Sequence, residues 1–346
     1  MQKRLSLQDM ARMADTSTAT VSRVLSRRGD VKPELRERVL SVVRETGFVP
    51  NAHASAMAKK RFVRNGLVHR AIAMAVLGAK DGTFARLWDE TYEGILAMAH
   101  EMDLGVTLCL VKQEELLAGN PPAALTRIPC DGILSSHPVG VDVSKLRNVA
   151  PTVLIGGAPT RDSGLPSVLA DDYLGIASLM DYLCGLGHAR FEFVTVGLSH
   201  LAYANRADAF RHQVERRGVR GQVAEPISER YDEYASAFAR RDVRTRPTAL
   251  LISSDGPAVA LLHALLRVGV RAPQDVSVVG FDGRTWGKDS VPPLTSWHVD
   301  WREVGRRGVR TLTELVAGEN VPSQILIGGN VVERESAGPP PAGTGG

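Results

Sequence analysis

The side chains best suited to chemistry in this sequence are cationic, and they gather at one end. Residues 1–64 hold 14 Lys and Arg against 6 Asp and Glu, in a chain of 346 residues whose formal net charge is only +4. The rest of the chain is therefore mildly acidic. A small basic head on an acidic body points to a module that pairs with phosphates, joined to a part that binds something else. An ordinary solvated helical surface is the alternative reading of the charge alone. Catalytic chemistry has no comparable signal, since the chain lacks GxGxxG, a Walker loop, a GxSxG elbow and HExxH. Its nine His include no pair at metal-ligand spacing. Three Cys (Cys109, Cys130 and Cys184), odd in number and far apart, form neither a disulfide framework nor a zinc site. No cofactor, no metal and no enzymatic activity is expected, and the cysteine usage suits a reducing cytoplasm.

The elements that must carry the head are helical. Leu7, Met10, Ala11 and Ala14 recur at helical spacing, Asp15 and Thr16 interrupt the pattern, and Ser17 is a good N-cap for a second helix through Leu25. That helix puts Thr18, Ala19 and Arg23 on one side and leaves Val21, Val24 and Leu25 for a core. A third helix starts at Pro33–Glu34, buries Leu35, Val39, Val42 and Val43, and stops at Gly47. Two short helices joined by a tight turn predict a helix-turn-helix.

The body alternates apolar runs with helical stretches. Strands are predicted at 71–77, 106–111, 132–135, 152–155, 191–196, 249–252 and 276–280, and helices at 87–102, 177–186, 206–217 and 258–268. Such alternation argues for parallel sheets flanked by helices. About 270 residues exceed one such unit, so two lobes with a cleft are expected. The longest apolar run, Ala71 to Ala79, is far short of the ~20 residues that span a bilayer, and the polar N-terminus has no signal-peptide core. Export and membrane association are not expected.

Two stretches, LSLQDMARMADTSTATVSRVLS and VKPELRERVLSVVRETGFVPNAHASAMAKK, between Leu5 and Lys60, resemble the LacI family of bacterial transcription regulators. The resemblance continues through VLADDYLG (168–175), LGHARFEFV (186–194), NRADAFRHQVERRG (205–218), PTALLISSDGPAVALLHALLRVGVRAPQDVSVVGFDG (247–283), PPLTSWHVD (292–300) and VVERES (331–336). It implies a small all-α helix-turn-helix domain followed by a two-lobed α/β domain with parallel sheets, of the periplasmic-binding-protein type. The expected organisation is a DNA-binding domain at 1–50, a hinge helix and linker at 51–70, an effector-binding and dimerisation domain at 71–336, and a disordered Pro/Gly-rich tail at 337–346. The function implied is a sequence-specific, DNA-binding repressor whose affinity for a double-stranded operator is set by a small-molecule effector, a sugar. It would act as a homodimer, with a tetramer as the larger assembly. The alternatives are a small-molecule sensor without a DNA role, or a sugar-acting enzyme.

By resemblance, the helix from Ser17 to Leu25 reads the major groove. Arg23 would reach guanine, Thr18 and Ala19 would touch thymine methyls, and Ser17, Thr20 and Ser22 would hold phosphates; a solvated or phosphate-bound Arg23 is the alternative. Asn51 opens the hinge helix, and Met57 sits where the family has a leucine that wedges into the minor groove, with packing against the partner helix as its other role. In the body, Arg206 and Asp282 match the family's ligand-binding arginine and acid, with an interlobe salt bridge or strand-end cap as the alternative. Trp88 and Trp286 could stack on a sugar face or simply fill core. Ser254, where the family often has Asn, completes the expected effector set. Asp171, Asp172 and Asp255 are expected to cap helices or link the lobes. Asp15 takes the place of the family's usual turn glycine, and an Asp tolerates the left-handed backbone better than most residues.

Overall fold

The computed structural model describes residues 6–26, 31–46, 48, 67–77, 89–118, 120–136, 142–156, 163–228 and 230–342. The head contains α1 (Leu7–Met13), α2 (Thr18–Ser26) and α3 (Pro33–Thr46). A reciprocal cap starts α1: Asp9 N–H donates to Ser6 Oγ at 3.2 Å and Ser6 N–H to Asp9 Oδ2 at 2.9 Å. The expected apolar positions converge, with Met10, Ala11, Ala14, Val21, Val24, Val39 and Phe48 buried in one small core. Asp15 takes φ +47° in the turn, the left-handed conformation that its short side chain accepts more readily than most.

The body carries two six-stranded sheets and falls into two compact units. The first sheet has the order β11-β5-β4-β3-β1-β2, from β1 (Ala71–Leu77), β2 (Gly105–Val111), β3 (Gly132–Ser135), β4 (Thr152–Ile155), β5 (Ser167–Ala170) and β11 (Gln324–Ile327). Its strands β2, β1, β3, β4 and β5 pair in parallel. The second has the order β12-β10-β9-β8-β6-β7, from β6 (Arg190–Val194), β7 (Arg220–Val223), β8 (Ala249–Ile252), β9 (Ser277–Asp282), β10 (Thr295–Val299) and β12 (Gly329–Val332), all parallel except the β10–β12 pair. The main helices are α4 (Asp89–Glu101), α5 (Gln113–Leu117), α6 (Ala123–Thr126), α7 (Asp172–Gly185), α8 (Leu201–Arg217), α9 (Tyr231–Ala239), α10 (Asp255–Arg267) and α11 (Trp301–Val316). Strands buried on both faces, such as ALLI at β8 and TVLI at β4, explain why they read as unbroken apolar runs rather than alternating ones.

The tail differs from expectation. Far from being disordered from 337, it is tied down at its start: Ala337 is buried, and Gly338 N–H donates to Ser277 Oγ at 3.0 Å. His188 lies 2.9 Å from the Gly338 carbonyl through Nε2 and 2.9 Å from Thr248 Oγ1 through Nδ1. A carbonyl can only accept, so Nε2 carries the proton and Nδ1 accepts from the threonine. Burial also lowers the His188 pKa, which keeps the ring neutral.

Candidate functional site

On the head, packing decides which side of α2 is available. Val21 and Val24 point into the core, so Thr18, Ala19, Ser22 and Arg23 lie exposed along the opposite side, with Ser17 exposed just before the helix and Thr20 half-buried. Ser17 caps the helix as expected, its Oγ accepting from Thr20 N–H at 3.1 Å and lying 2.9 Å from Thr20 Oγ1. Two of the expected phosphate contacts thus also hold the helix end together. Asn51 and Met57 lie outside the described residues.

In the second unit, the strand ends converge on one guanidinium. The turn after β6 leads into α8, whose second turn carries Arg206; the end of β8 supplies Ser253 and Ser254, and the end of β9 supplies Asp282. Arg206 is buried, at 3% exposure. Its Nε donates to Asp172 Oδ1 at 2.8 Å, its Nη1 to the Ser253 carbonyl at 2.6 Å, and its Nη2 lies 3.3 Å from Asp282 Oδ1. Below it, the ring of Phe281 stacks with its centroid 3.6 Å from the guanidinium carbon. Among the described residues, three of its five N–H donors are thus paired. Tyr203 Oη meets Ser254 Oγ at 3.2 Å on the same side.

Asp282 itself is held in an unfavourable backbone conformation, at φ +112°. Trp301 Nε1 grips its carbonyl at 2.8 Å, and the next residue, Gly283, also has positive φ (+67°). A side chain at Gly283 would place its Cβ 2.3 Å from His298 Cα, so only glycine fits. Strain of this kind persists only where the surroundings over-determine it, and here it aims an acid at an arginine.

Three carboxylates surround this centre, and burial raises the pKa of each. For Asp172 and Asp282, burial is opposed by Arg206. Asp255, fully buried, is pushed up to about 7 by burial and then by the charge of Asp282, against hydrogen bonds from Ser296 Oγ (2.6 Å) and Arg284 N–H (2.7 Å). For Arg206, burial works against the charged form, but Asp172 and Asp282 outweigh it and its pKa rises. The centre therefore holds a permanent cation among acids whose burial raises their pKa.

The expected pair of Arg206 and Asp282 is thus brought together within one unit, and Ser254 lies beside it through Tyr203. The Trp286 backbone sits in a short 3-10 turn, Thr285–Asp289; its side chain and Trp88 lie outside the described residues. Two expectations need correction. Asp171 does cap α7, accepting from Leu174 N–H at 2.9 Å, but Asp172 is turned onto Arg206 and Asp255 onto Ser296 and Arg284, so neither caps a helix through its side chain. The tandem acids at 171–172 were the available signal, because a single cap needs only one of them. Phe281 reaches the centre through strand order, and Tyr203 through its place on α8 three residues before Arg206. A groove of about 570 Å³ beside β7 and α9, lined by Gln222, Ile227, Arg230, Tyr234 and Arg241, contains none of these residues.

A helix-turn-helix joined to two parallel-sheet α/β units, with a polar centre at strand ends, defines a DNA-binding regulator with a small-molecule-binding body. Residues 6–51 match the bacterial regulatory proteins of the lacI family, and residues 180–337 match the periplasmic binding protein-like domain. The chain belongs to the LacI family of transcription regulators, which is not a family of enzymes. Among its relatives, the HTH-type transcriptional regulator DegA of Bacillus subtilis (strain 168) is 26% identical over 341 residues, covering 96% of this chain and 97% of that protein. The lactose operon repressor of Escherichia coli (strain K12) is 24% identical over 340 residues, covering 96% and 91%. Among solved structures, the lac repressor dimer bound to operator and an anti-inducer aligns with TM-score 0.63 at 21% identity over 96% of this chain and 99% of that one. A complex of the regulator CelR with cellobiose also aligns with TM-score 0.63, at 24% identity, over 96% of this chain and all of that one. Among the described residues, no helix is long and apolar enough to cross a membrane.

Proposed function

We propose that this protein works in the cytoplasm as a homodimeric repressor that binds a near-palindromic operator through α2 and responds to a small neutral polyhydroxyl effector, a sugar. The observation that carries the effector reading is the strained Asp282 facing Arg206. Together they offer an acceptor and donors to adjacent hydroxyl groups, with Ser254, Tyr203 and the two tryptophans as further candidates. Sugar-operon repressors among the relatives support the ligand class. Dimerisation is supported by the apolar edge of the first unit, where Leu96, Leu108 and Leu110 are exposed. The effector alters operator affinity by the difference in its binding free energy between the two forms of the protein.

The test is selection of bound fragments from the source genome by the full-length chain at two salt concentrations, since phosphate contacts make affinity salt-dependent. Enrichment of a palindrome is expected, and the adjoining genes nominate sugars for a response assay. A chain that enriches no palindrome at low salt, with or without a metabolite pool, has no operator and refutes the proposal.

A further inference from the structure

The entry into β1 is built more firmly than the start of an edge-proximal strand requires. Asp131, fully buried at the foot of β3, collects the backbone N–H groups of the incoming chain. Val68 N–H donates to Oδ1 at 2.8 Å, His69 N–H to both oxygens at 3.0 and 3.1 Å, and Ala71 N–H to Oδ2 at 3.2 Å. In return, Asp131 N–H donates to the Ala71 carbonyl at 2.7 Å. Successive N–H groups converging on one acid form a nest, which fixes backbone direction more tightly than a strand ladder alone.

Between these donors Arg70 takes φ +52°, a conformation unusual for a residue with a side chain. Its guanidinium holds the end of α4: Nε donates to the Asp103 carbonyl at 3.1 Å, and Nη2 to the Met102 carbonyl at 3.2 Å and to Asp103 Oδ2 at 2.8 Å. Its own carbonyl accepts from Gly105 N–H, at the first residue of β2, at 2.8 Å. The reversed residue is therefore tied to the end of α4 and to β2, while its neighbours Val68, His69 and Ala71 are tied to Asp131 at the foot of β3. The chain upstream of it leads to the DNA-binding head.

We propose that Asp131 and Arg70 are positioning residues for operator recognition: they fix the direction in which the linker leaves the first unit, and so the placing of the two heads on a palindrome. Neither residue touches DNA. The inference rests on the regulator reading above. A rigid exit matters for a specific site, where both heads must fall in register one helical turn or a multiple apart. It matters little for random DNA, which needs only the phosphate contacts of the basic head.

The test compares two affinities of the full-length chain, for the palindromic duplex recovered in the genomic selection and for a random-sequence duplex of equal length. Asp131→Asn keeps the shape but replaces an acceptor oxygen with a donating amide NH2, and Arg70→Gly tolerates φ +52° while freeing the exit. For both variants the ratio of specific to random affinity is expected to fall at least about fivefold, the lower end of ordinary coupling between sites, with random-duplex affinity unchanged. A variant that loses both affinities in proportion has lost folded protein, a purely structural role that overturns the inference. So does an unchanged ratio in Arg70→Gly. A wild-type chain that selects no palindrome instead refutes the regulator reading itself.

Discussion

Replacing Asp255 by Asn tests the electrostatics of the polar centre directly. The acid is fully buried and its pKa is pushed from 3.8 up to about 7. Because the folded protein holds this proton more tightly than the unfolded chain, stability from this group is fully present below about pH 4 and is lost as pH rises to about 7. At 1.36 kcal/mol per pKa unit, the ionised acid costs about 4 kcal/mol at most above that range. Asn resembles the protonated acid: its oxygen can accept from Arg284 N–H, and its amide can donate to Ser296 Oγ, which need only rotate. Asp255→Asn should therefore be more stable than the wild type at pH 8, by roughly 1–4 kcal/mol, and the difference should shrink towards zero near pH 4. Urea unfolding of the full chain between pH 4 and 8.5, followed by tryptophan fluorescence, reports on this unit through the buried Trp297 and Trp301. A variant less stable than the wild type at pH 8, or a gap independent of pH, would refute the reasoning.

Three other perturbations have expected outcomes. Arg206→Met leaves Asp172 and Asp282 buried without their cation and should cost about 3–5 kcal/mol, part of it recovered by adding Asp172→Asn; thermal melts that match the wild type would show that the pair contributes nothing. Arg23→Ala should weaken operator binding by about 1–3 kcal/mol and relax the preference at one base pair of each half-site. Gel-shift titrations of single-base operator variants would show this, and uniform weakening across them would assign Arg23 to phosphate instead. Gly305→Ala gains about 1 kcal/mol of helix propensity, but its methyl would lie 2.2 Å from the Thr91 carbonyl and 2.8 Å from Ile95 N where α11 meets α4. Overpacking wins by about 1–3 kcal/mol, so chemical denaturation should show a lower midpoint, and a higher one would mean that the helices separate without cost.

How far the sequence reached depended on the range of the interactions involved. The head was legible because its determinants are local: the Ser17 cap, the Asp15 turn and the apolar spacing of α1 and α2 all act within a few residues. Strands β1, β3, β4 and β8 were equally plain, since strands buried on both faces must be apolar throughout. By contrast, α11 carries Gly305 and Gly308, which weaken a helical reading and make sense only through the close approach of α4 and of Ile155. The strands β7, β11 and β12 are exposed or half-buried and carry no fully buried run, and their places and that of β5 are set by the strands they pair with.

The same division holds at the polar centre. Arg206 and Asp282 could be nominated from the chain, because each sits in a recognisable stretch of sequence. Only the tertiary structure decided that Asp172 shares the arginine, that Phe281 lies beneath it, and that Asp255 is buried close enough to Asp282 to be driven towards neutrality. Those relations join residues 27 to 75 positions apart. Local propensity records what a residue prefers along the chain, whereas a buried charge is governed by whatever the packed sheet places around it.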